Sequence, residues 1–175
     1  METRTQLVVD ADVLIHFSKG RRLLQFASIF PEFDVVILDE VYSELEQVKF
    51  DIDRLVEFGQ KILRFPPPSN NYEMLKEYAI LNSDRGKGES ACMAYCYFTK
   101  NTLASSNLLD IKEYCQNNDI RYLTTMDCLY YAKERGILTE AECNEFIAEV
   151  KSKGSKLPGN TIKGYKPNIT LDKSA

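Results

Sequence analysis

The sequence predicts an α/β fold in which a mostly parallel sheet carries helices on both faces. Short apolar runs alternate along the chain with segments of helical periodicity, as in proteins built from strand–helix–strand units. Several of these runs stop at an acid or a hydroxyl residue that is suited to open the next helix. The 175 residues fit one domain, and 44% of them are hydrophobic, which is enough for a packed core.

The first half of the chain contains three predicted strands separated by helical segments. Asp39 directly follows an apolar run and is therefore the expected N-cap of a helix. Three prolines at 66–68 stop the third extended segment. The expected elements are a strand at 7–9, a helix at 13–30 broken near Gly20, a strand at 34–38, a helix from Asp39 toward Lys49, a helix at 51–59 and a strand at 61–65.

The second half of the chain continues the alternation and adds two helices at its end. Thr139 and Glu142 have the spacing of a capping box, in which each side chain binds a backbone N–H of the other residue. The expected elements are a helix at 70–81, a loop at 82–88, a helix at 89–99, a strand at 101–104, a helix at 108–115, a strand at 121–123, a helix from Thr124 or Thr125 to Gly136 and a final helix after Thr139.

Charge divides the chain into an expected domain of residues 1–150 and a basic C-terminal tail of residues 151–175. The tail holds six lysines and one acid, so it carries +5, whereas the domain carries −9. The total of −4 argues against a protein that coats nucleic acid nonspecifically. A basic appendage on an acidic body occurs in nucleases, and a solvated tail is the alternative.

The cysteine, histidine and hydropathy patterns exclude several function classes. The five cysteines are odd in number and form no Cys-x-x-Cys pair, so we expect reduced, buried thiols and no zinc site. His16 is the only histidine, which argues against a Ser-His-Asp or Cys-His catalyst. The chain has no apolar run of 18 or more residues and opens on a charged segment, so we expect a cytoplasmic protein with no membrane contact.

Two aspartates at the end of the first apolar run are the strongest functional signal. Asp10 follows Val9 directly, and Asp12 lies two residues further on, so an extended chain places both on one face. Ligands bind at the carboxyl ends of strands in open α/β sheets, and crowded carboxylates call for a cation such as Mg²⁺ or Mn²⁺. Alternatively, Asp12 caps the next helix and Asp10 is an ordinary residue at a strand end.

Three later acids are further candidates for the same site. Glu44 borders the apolar stripe of its predicted helix, and from that position it is able to face a cleft. Glu89 follows a Gly-Lys-Gly segment at a helix start, and Asp110 lies in the first turn of the helix after the fourth strand. The alternative for all three is a solvated helix face or a favourable interaction with the helix dipole.

Three motifs in this order resemble the PIN domain family. The resemblance spans roughly residues 6–150 and extends to the Gly-Ile-Leu-Thr-Glu ending at 136–140, which occurs in one branch of that family. The motifs are Val-Val-Asp-Ala-Asp-Val-Leu-Ile at 8–15, Leu-Asp-Glu-Val-Tyr-Ser-Glu-Leu at 38–45 and Gly-Lys-Gly-Glu-Ser-Ala-Cys-Met-Ala-Tyr at 86–95.

The resemblance implies a three-layer α/β/α sandwich with a central, mostly parallel sheet. It also implies a protein that cleaves single-stranded RNA using Mg²⁺ or Mn²⁺. It implies that Asp10, Glu44 and Glu89 are the catalytic, metal-binding carboxylates and that Asp12 is the small polar residue beside substrate. Many members are the toxins of bacterial toxin–antitoxin pairs. An antitoxin and a second copy of the chain are therefore the expected protein partners.

The chain departs from the family after the fourth strand, where a further acid usually follows in a Thr-Asp-Asp or Thr-x-Asp setting. Ser105, Ser106 and Asn107 occupy that position, and the next acid is Asp110. Asn107, through its amide oxygen, and Asp110 are the expected substitute metal ligands. Ser105 and Ser106 are instead placed to bind a substrate phosphate at a helix N-terminus, unless the three residues are only a helix cap.

Two other function classes stay open at this point. The first is a PIN-like module that has lost full metal binding and binds RNA or a protein, which the departure at Ser105 favours. The second is a phosphohydrolase of the haloacid dehalogenase type, because the segments at 8–13 and 102–106 resemble two motifs of that family. The later acidic motif that such an enzyme needs is missing from the sequence.

Overall fold

A five-stranded, all-parallel sheet forms the centre of the molecule in our computed structural model, which describes residues 4–67 and 71–171. The strand order is β3-β2-β1-β4-β5, and each neighbouring pair is parallel. The predicted α/β fold is therefore confirmed. The strands are β1 (Gln6–Val9), β2 (Asp34–Leu38), β3 (Lys61–Leu63), β4 (Thr102–Ala104) and β5 (Tyr122–Leu123).

Helices cover both faces of this sheet and complete a three-layer sandwich. Leu7, Val8 and Val9 point alternately to opposite faces of β1, yet each is 0% exposed, so both faces are covered. The helices are α1 (Ala11–Lys19), α2 (Phe26–Ile29), α3 (Asp39–Glu44), α4 (Lys49–Glu57), α5 (Tyr72–Leu81), α6 (Lys87–Thr99), α7 (Leu108–Asn117), α8 (Thr125–Glu134) and α9 (Glu140–Ser152).

Several element boundaries differ from those expected, and one of the differences affects a candidate acid. Asp39 does not cap α3, because the cap is Leu38; the Asp39 carboxylate instead accepts the N–H of Phe65 at 2.8 Å. Helix α6 begins at Lys87, two residues earlier than expected, which places Glu89 in its first turn. The predicted helix at 70–81 begins at Tyr72, and its first predicted residue lies outside the described ranges.

The C-terminal segment packs on the body as far as Leu171 and differs from a solvated tail. Helix α9 crosses residue 150 and ends at Ser152. Beyond it, Leu157, Ile162 and Leu171 are buried against the core, at 7%, 0% and 7% exposure. These three apolar residues pack on the core, and the sequence did not predict this because lysines surround them. Residues 172–175 lie outside the described ranges.

The expected reduced, buried thiols and the expected capping box of the last helix are confirmed. All five cysteines are free and buried. Thr139 and Glu142 form the predicted capping box of α9, and Thr124 forms a second one with Asp127 at the start of α8. Among the described residues, no helix has the length and apolarity needed to cross a membrane.

Candidate functional site at the carboxyl edge of the sheet

The strand order places a crevice between β1 and β4. The chain leaves β1 toward β2 and β3 on one side, and later adds β4 and β5 on the other. In open α/β sheets, this reversal of direction opens a crevice at the carboxyl ends of the two strands, where ligands bind. Asp10 follows β1 and Ser105 follows β4, and the Asp10 N–H donates to the Ala104 carbonyl at 2.9 Å.

Asp10 is a buried carboxylate at the centre of this crevice. It is the N-cap of α1, where one oxygen accepts the Ala11 N–H at 2.8 Å, and the other accepts the Ser105 hydroxyl at 3.2 Å. Its exposed fraction is 5%. Burial, and then the charges of Asp12 and Glu89, raise the pKa of Asp10 well above its ordinary value.

Asp12 connects α1 with the loop after β4. One of its oxygens accepts the Val13 N–H and the other accepts the Ser106 N–H, both at 2.7 Å. Burial raises the pKa of Asp12 to about 6, and the Ser106 and Val13 N–H groups act in the opposite direction. The helix cap belongs to Asp10, so the alternative in which Asp12 caps α1 is wrong.

Glu89 approaches the two aspartates from α6. It is only 8% exposed, and burial, followed by the charge of Asp110, raises its pKa to about 7. The charge of Asp12 raises the pKa further, whereas a hydrogen bond from the Asn107 side chain lowers it. Acids from α1, α6 and α7 therefore interact electrostatically at one place, although up to a hundred residues separate them in the chain.

Asn107 and Asp110 border the site on the α7 side. The Asn107 amide donates to the Asp110 carboxylate at 2.6 Å, and Asn107 is exposed. Asn107 occupies the N-cap position of α7, but its side chain accepts no capping hydrogen bond from the backbone N–H groups of that helix. Ser105 and Ser106 direct donors at Asp10 and Asp12. The two serines thus donate to the carboxylates in this structure, and their contact with a substrate phosphate stays a prediction.

Glu44 is the last residue of α3, contacts the start of α6 and is more exposed than the other candidate acids. Its Oε1 atom accepts the N–H of Gly88, the residue before Glu89, at 2.9 Å. The charges of Asp10, Asp12 and Glu44 all contribute to raising the pKa of the buried Cys92 thiol, after burial itself. Glu44 therefore lies at the edge of the same acidic region.

Gly88 is required for the close approach of α3 and α6, so we expect Gly88→Ala to disturb Glu44. An added methyl group would lie 2.7 Å from Oε2 of Glu44 and 3.2 Å from the backbone Cα of Val41. We expect a loss of about 1–3 kcal/mol in urea unfolding, the usual cost of overpacking. Glu44→Gln keeps the acceptor for Gly88 and should unfold as wild type; equal stability of both variants would contradict this account.

His16 belongs to a polar network that the sequence did not reveal. Its Nδ1 atom lies 2.8 Å from the Thr125 hydroxyl, which lies 2.8 Å from the Ser106 hydroxyl. The Thr125 N–H also donates to the Ser106 hydroxyl at 2.8 Å. Burial lowers the pKa of His16 to about 4, so the imidazole is neutral at pH 7. This network fixes Ser106, whose N–H binds Asp12.

Arg85 is a second residue that the sequence did not single out. Its Nη1 atom pairs with Asp84 at 2.6 Å, and its positive charge lowers the pKa of Glu89. Its Nε atom is buried without a hydrogen-bond partner among residues 4–67 and 71–171. Buried donors are rarely left unpaired, so this N–H suits an anionic group that enters the site.

The donor set suits a hard divalent cation in its chemistry. The carboxylates of Asp10, Asp12 and Glu89 supply oxygen ligands of the type that Mg²⁺ and Mn²⁺ prefer. Burial raises the pKa of all three carboxyls, and neighbouring negative charges raise those of Asp10 and Glu89 further. A bound cation would offset that repulsion. Among the described residues, no three Asp, Glu, His or Cys side chains are close enough together to hold one metal ion.

Glu89 makes the stability of the metal-free protein depend on pH. Its pKa rises from 4.5 to about 7 on folding, so the unfolded chain ionises first as the pH increases. We therefore expect the stability in EDTA to fall between about pH 4.5 and 7 and to change little above, as far as Glu89 is concerned. His16 acts in the opposite direction, because its lowered pKa removes stability as the pH falls from 6.5 toward 4.

A comparison of wild type with Glu89→Gln isolates this contribution, since both proteins contain His16. We expect urea midpoints that are close at pH 4.5 and that favour the variant at pH 7.5. A constant difference across this range would contradict the raised pKa of Glu89.

Comparison with known proteins adds no assignment to this geometry: no protein-family model and no curated protein matches the chain.

Proposed function

We propose that this protein is a metal-dependent endoribonuclease of the PIN type that cleaves single-stranded RNA. The observation that carries the proposal is the meeting of Asp10, Asp12 and Glu89 at the crevice between β1 and β4. Burial raises the pKa of all three, and neighbouring charges raise those of Asp10 and Glu89 further. Burying uncompensated carboxylates costs stability, and a fold keeps such a group where it serves a function. The resemblance of three motifs to PIN domains supports the same reaction.

In this proposal, Asp10 and Glu89 hold Mg²⁺ or Mn²⁺, with Glu44, Asn107 and Asp110 as further ligands. The bound metal would supply a water of lowered pKa and offset the negative charge that develops on phosphorus. Among the residues of the chain, Asp10 is oriented for this role because Ala11 and Ser105 donate to its two oxygens.

Asp12 and Arg85 have separate roles in the proposed reaction. Asp12 accepts the Ser106 N–H and so holds the loop after β4 against α1, which keeps the crevice in shape. Arg85 carries an unpaired, buried N–H beside Glu89 and is placed to donate to a phosphate oxygen of the substrate. Ser105 and Ser106 position the two aspartates.

Cleavage of a mixed-sequence single-stranded RNA tests the proposal. We expect product with Mn²⁺ or Mg²⁺, no product in EDTA, and recovery when excess Mn²⁺ is restored. Folded wild-type protein that leaves the RNA intact under all of these conditions would overturn the proposal. Turnover of a generic phosphomonoester, with the RNA untouched, would instead favour the haloacid dehalogenase type of phosphohydrolase.

A binding module without catalysis is the second candidate, and two observations favour it. The loop after β4 offers Asn107 where the family usually has an acid, and the described acids are not spaced to hold a metal. Such a module would bind the same RNA with an affinity that neither EDTA nor Mn²⁺ changes. Metal-dependent cleavage would exclude it.

An antitoxin and a second copy of the chain stay proposed partners. Two strongly exposed aromatic residues lie at opposite ends of helix α4: Phe50 near its start and Phe58 just after its end, each 75% exposed. Exposed aromatic side chains of this kind are enriched where proteins contact one another. Sedimentation equilibrium of the purified chain tests the second copy directly.

A further inference from the structure

The basic C-terminal segment returns to the carboxyl edge of the sheet beside β5. Tyr165 carries it there: its hydroxyl lies 3.4 Å from the Thr124 hydroxyl and donates to the Asp127 carboxylate at 2.9 Å. Thr124 is the first residue after β5, so this contact lies on the edge that also holds Asp10 and Ser105. The segment therefore borders the candidate site.

Asp127 fixes the position of this segment. Asp127 is 0% exposed, and its carboxylate accepts hydrogen bonds from five donors, which belong to the residue after β5 and to the C-terminal segment. Two come from Asn168, through its N–H at 2.9 Å and its side-chain amide at 3.0 Å. The others come from Tyr165 and from the N–H and hydroxyl of Thr124. The backbone is thus held at Tyr165 and at Asn168, and Lys166 lies between them.

A continuous series of contacts joins this docked segment to the acids. Thr125 follows Thr124, and its N–H donates to the Ser106 hydroxyl at 2.8 Å. The Ser106 N–H donates in turn to Asp12 at 2.7 Å. Tyr165, β5, the loop after β4 and Asp12 therefore form one packed surface along the carboxyl edge.

Two lysines of the segment are available to bind an anion at this edge. Lys163 and Lys166 flank Tyr165, and both are exposed. Neither forms an ion pair within residues 4–67 and 71–171. Lys153 differs, because it pairs with Glu149 at 2.8 Å. Both lysines that flank the docked Tyr165 are therefore exposed and without an ion pair in the described part of the chain.

We propose that Lys163 and Lys166 bind phosphates of single-stranded RNA and hold the strand across the carboxyl edge of the sheet. Residues 1–150 carry −9 and would repel a polyanion, so RNA needs a local cation to approach the acids. Lysine contacts with phosphate are independent of sequence, which suits the positioning of a strand. This inference rests on the proposed function, since it names how the substrate of that site is held.

Salt dependence of RNA binding tests the inference without requiring cleavage. Fluorescence anisotropy of a labelled single-stranded RNA in EDTA compares wild type with Lys163→Gln/Lys166→Gln between 50 and 200 mM salt, a range over which the screening of exposed charges increases. Loss of two phosphate contacts should weaken binding and reduce the slope of log Kd against log salt by about 1.4. Lys163→Arg/Lys166→Arg should restore wild-type binding.

The matched control is Lys61→Gln/Lys156→Gln, which removes the same charge away from this edge. Lys61 is the first residue of β3, so it lies at the amino end of the strand farthest from β5. Lys156 follows Ser155, whose hydroxyl accepts a hydrogen bond from Lys19 at the end of α1. We expect its slope to match wild type. Equal slopes for the two double variants, or no RNA binding by wild type, would overturn the inference.

The two proposals fail in different ways. If the lysine variants change the slope and wild type does not cleave RNA with Mn²⁺, the nuclease proposal fails and the RNA-binding edge stands. If wild type cleaves RNA and the lysine variants bind like the control, only the RNA-binding edge fails.

Discussion

Asp10→Asn is expected to remove RNA cleavage while making the metal-free protein more stable. Metal catalysis supplies several kcal/mol, so loss of the central ligand should lower the rate about 100-fold or more. Asparagine keeps an acceptor for the Ala11 N–H and is able to donate to the Ser105 hydroxyl. It carries no charge, so the repulsion from Asp12 and Glu89 is relieved.

The stability of this variant is measured by thermal unfolding in EDTA at pH 7.5. We expect an increase in Tm of roughly 2–4 °C, the shift that about 1 kcal/mol gives a domain of this size. Asp34→Asn is the control, because Asp34 lies at the opposite end of β2 and pairs with Arg4 at 4.0 Å. A variant at Asp10 that cleaves RNA like the Asp34 control would contradict the assigned role.

Asp127→Ala is expected to be strongly destabilising and to release the C-terminal segment. The substitution leaves five donors without their acceptor, including groups of Tyr165 and Asn168. We expect a loss of about 3 kcal/mol in urea unfolding, which is typical when a buried hydrogen-bond network is broken. Because the segment is held through these bonds, trypsin should cut after Lys163, which is followed by Gly164, faster than in wild type.

The control for this prediction is Glu145→Ala, which removes an exposed carboxylate of α9. It should change the free energy of unfolding by less than about 0.5 kcal/mol and leave the trypsin pattern unchanged. If Asp127→Ala lowers stability without faster cutting in the segment, the docking would depend on Leu157, Ile162 and Leu171 instead.

The strand–helix alternation was sufficient to predict the fold, because each strand is a short apolar run with clear ends. The capping box at Thr139 was also readable, since both of its residues lie in one local segment. The packing of residues 153–171 on the domain could not be predicted from the sequence. Its three buried apolar residues are spread among lysines and glycines, and its main anchor, Asp127, lies about forty residues away.

The candidate site was predictable only where a carboxylate directly follows a strand or opens a helix. Asp10 and Glu89 satisfied that condition, and the structure brings them into electrostatic contact. His16, Thr125 and Arg85 did not, because their significance depends on partners in other elements. His16 and Thr125, for example, are 109 positions apart.

Binding of Mn²⁺, followed by the loss of the free-ion signal in electron paramagnetic resonance, tests the central claim most directly. The claim is that the carboxylates in the crevice between β1 and β4 form a divalent-cation site. At pH 7.5, above the pKa of Glu89, we expect wild type and Asp34→Asn to bind Mn²⁺ equally. Asp10→Asn should bind it at least about tenfold more weakly. Equal binding by all three proteins, or none by wild type, would contradict the claim.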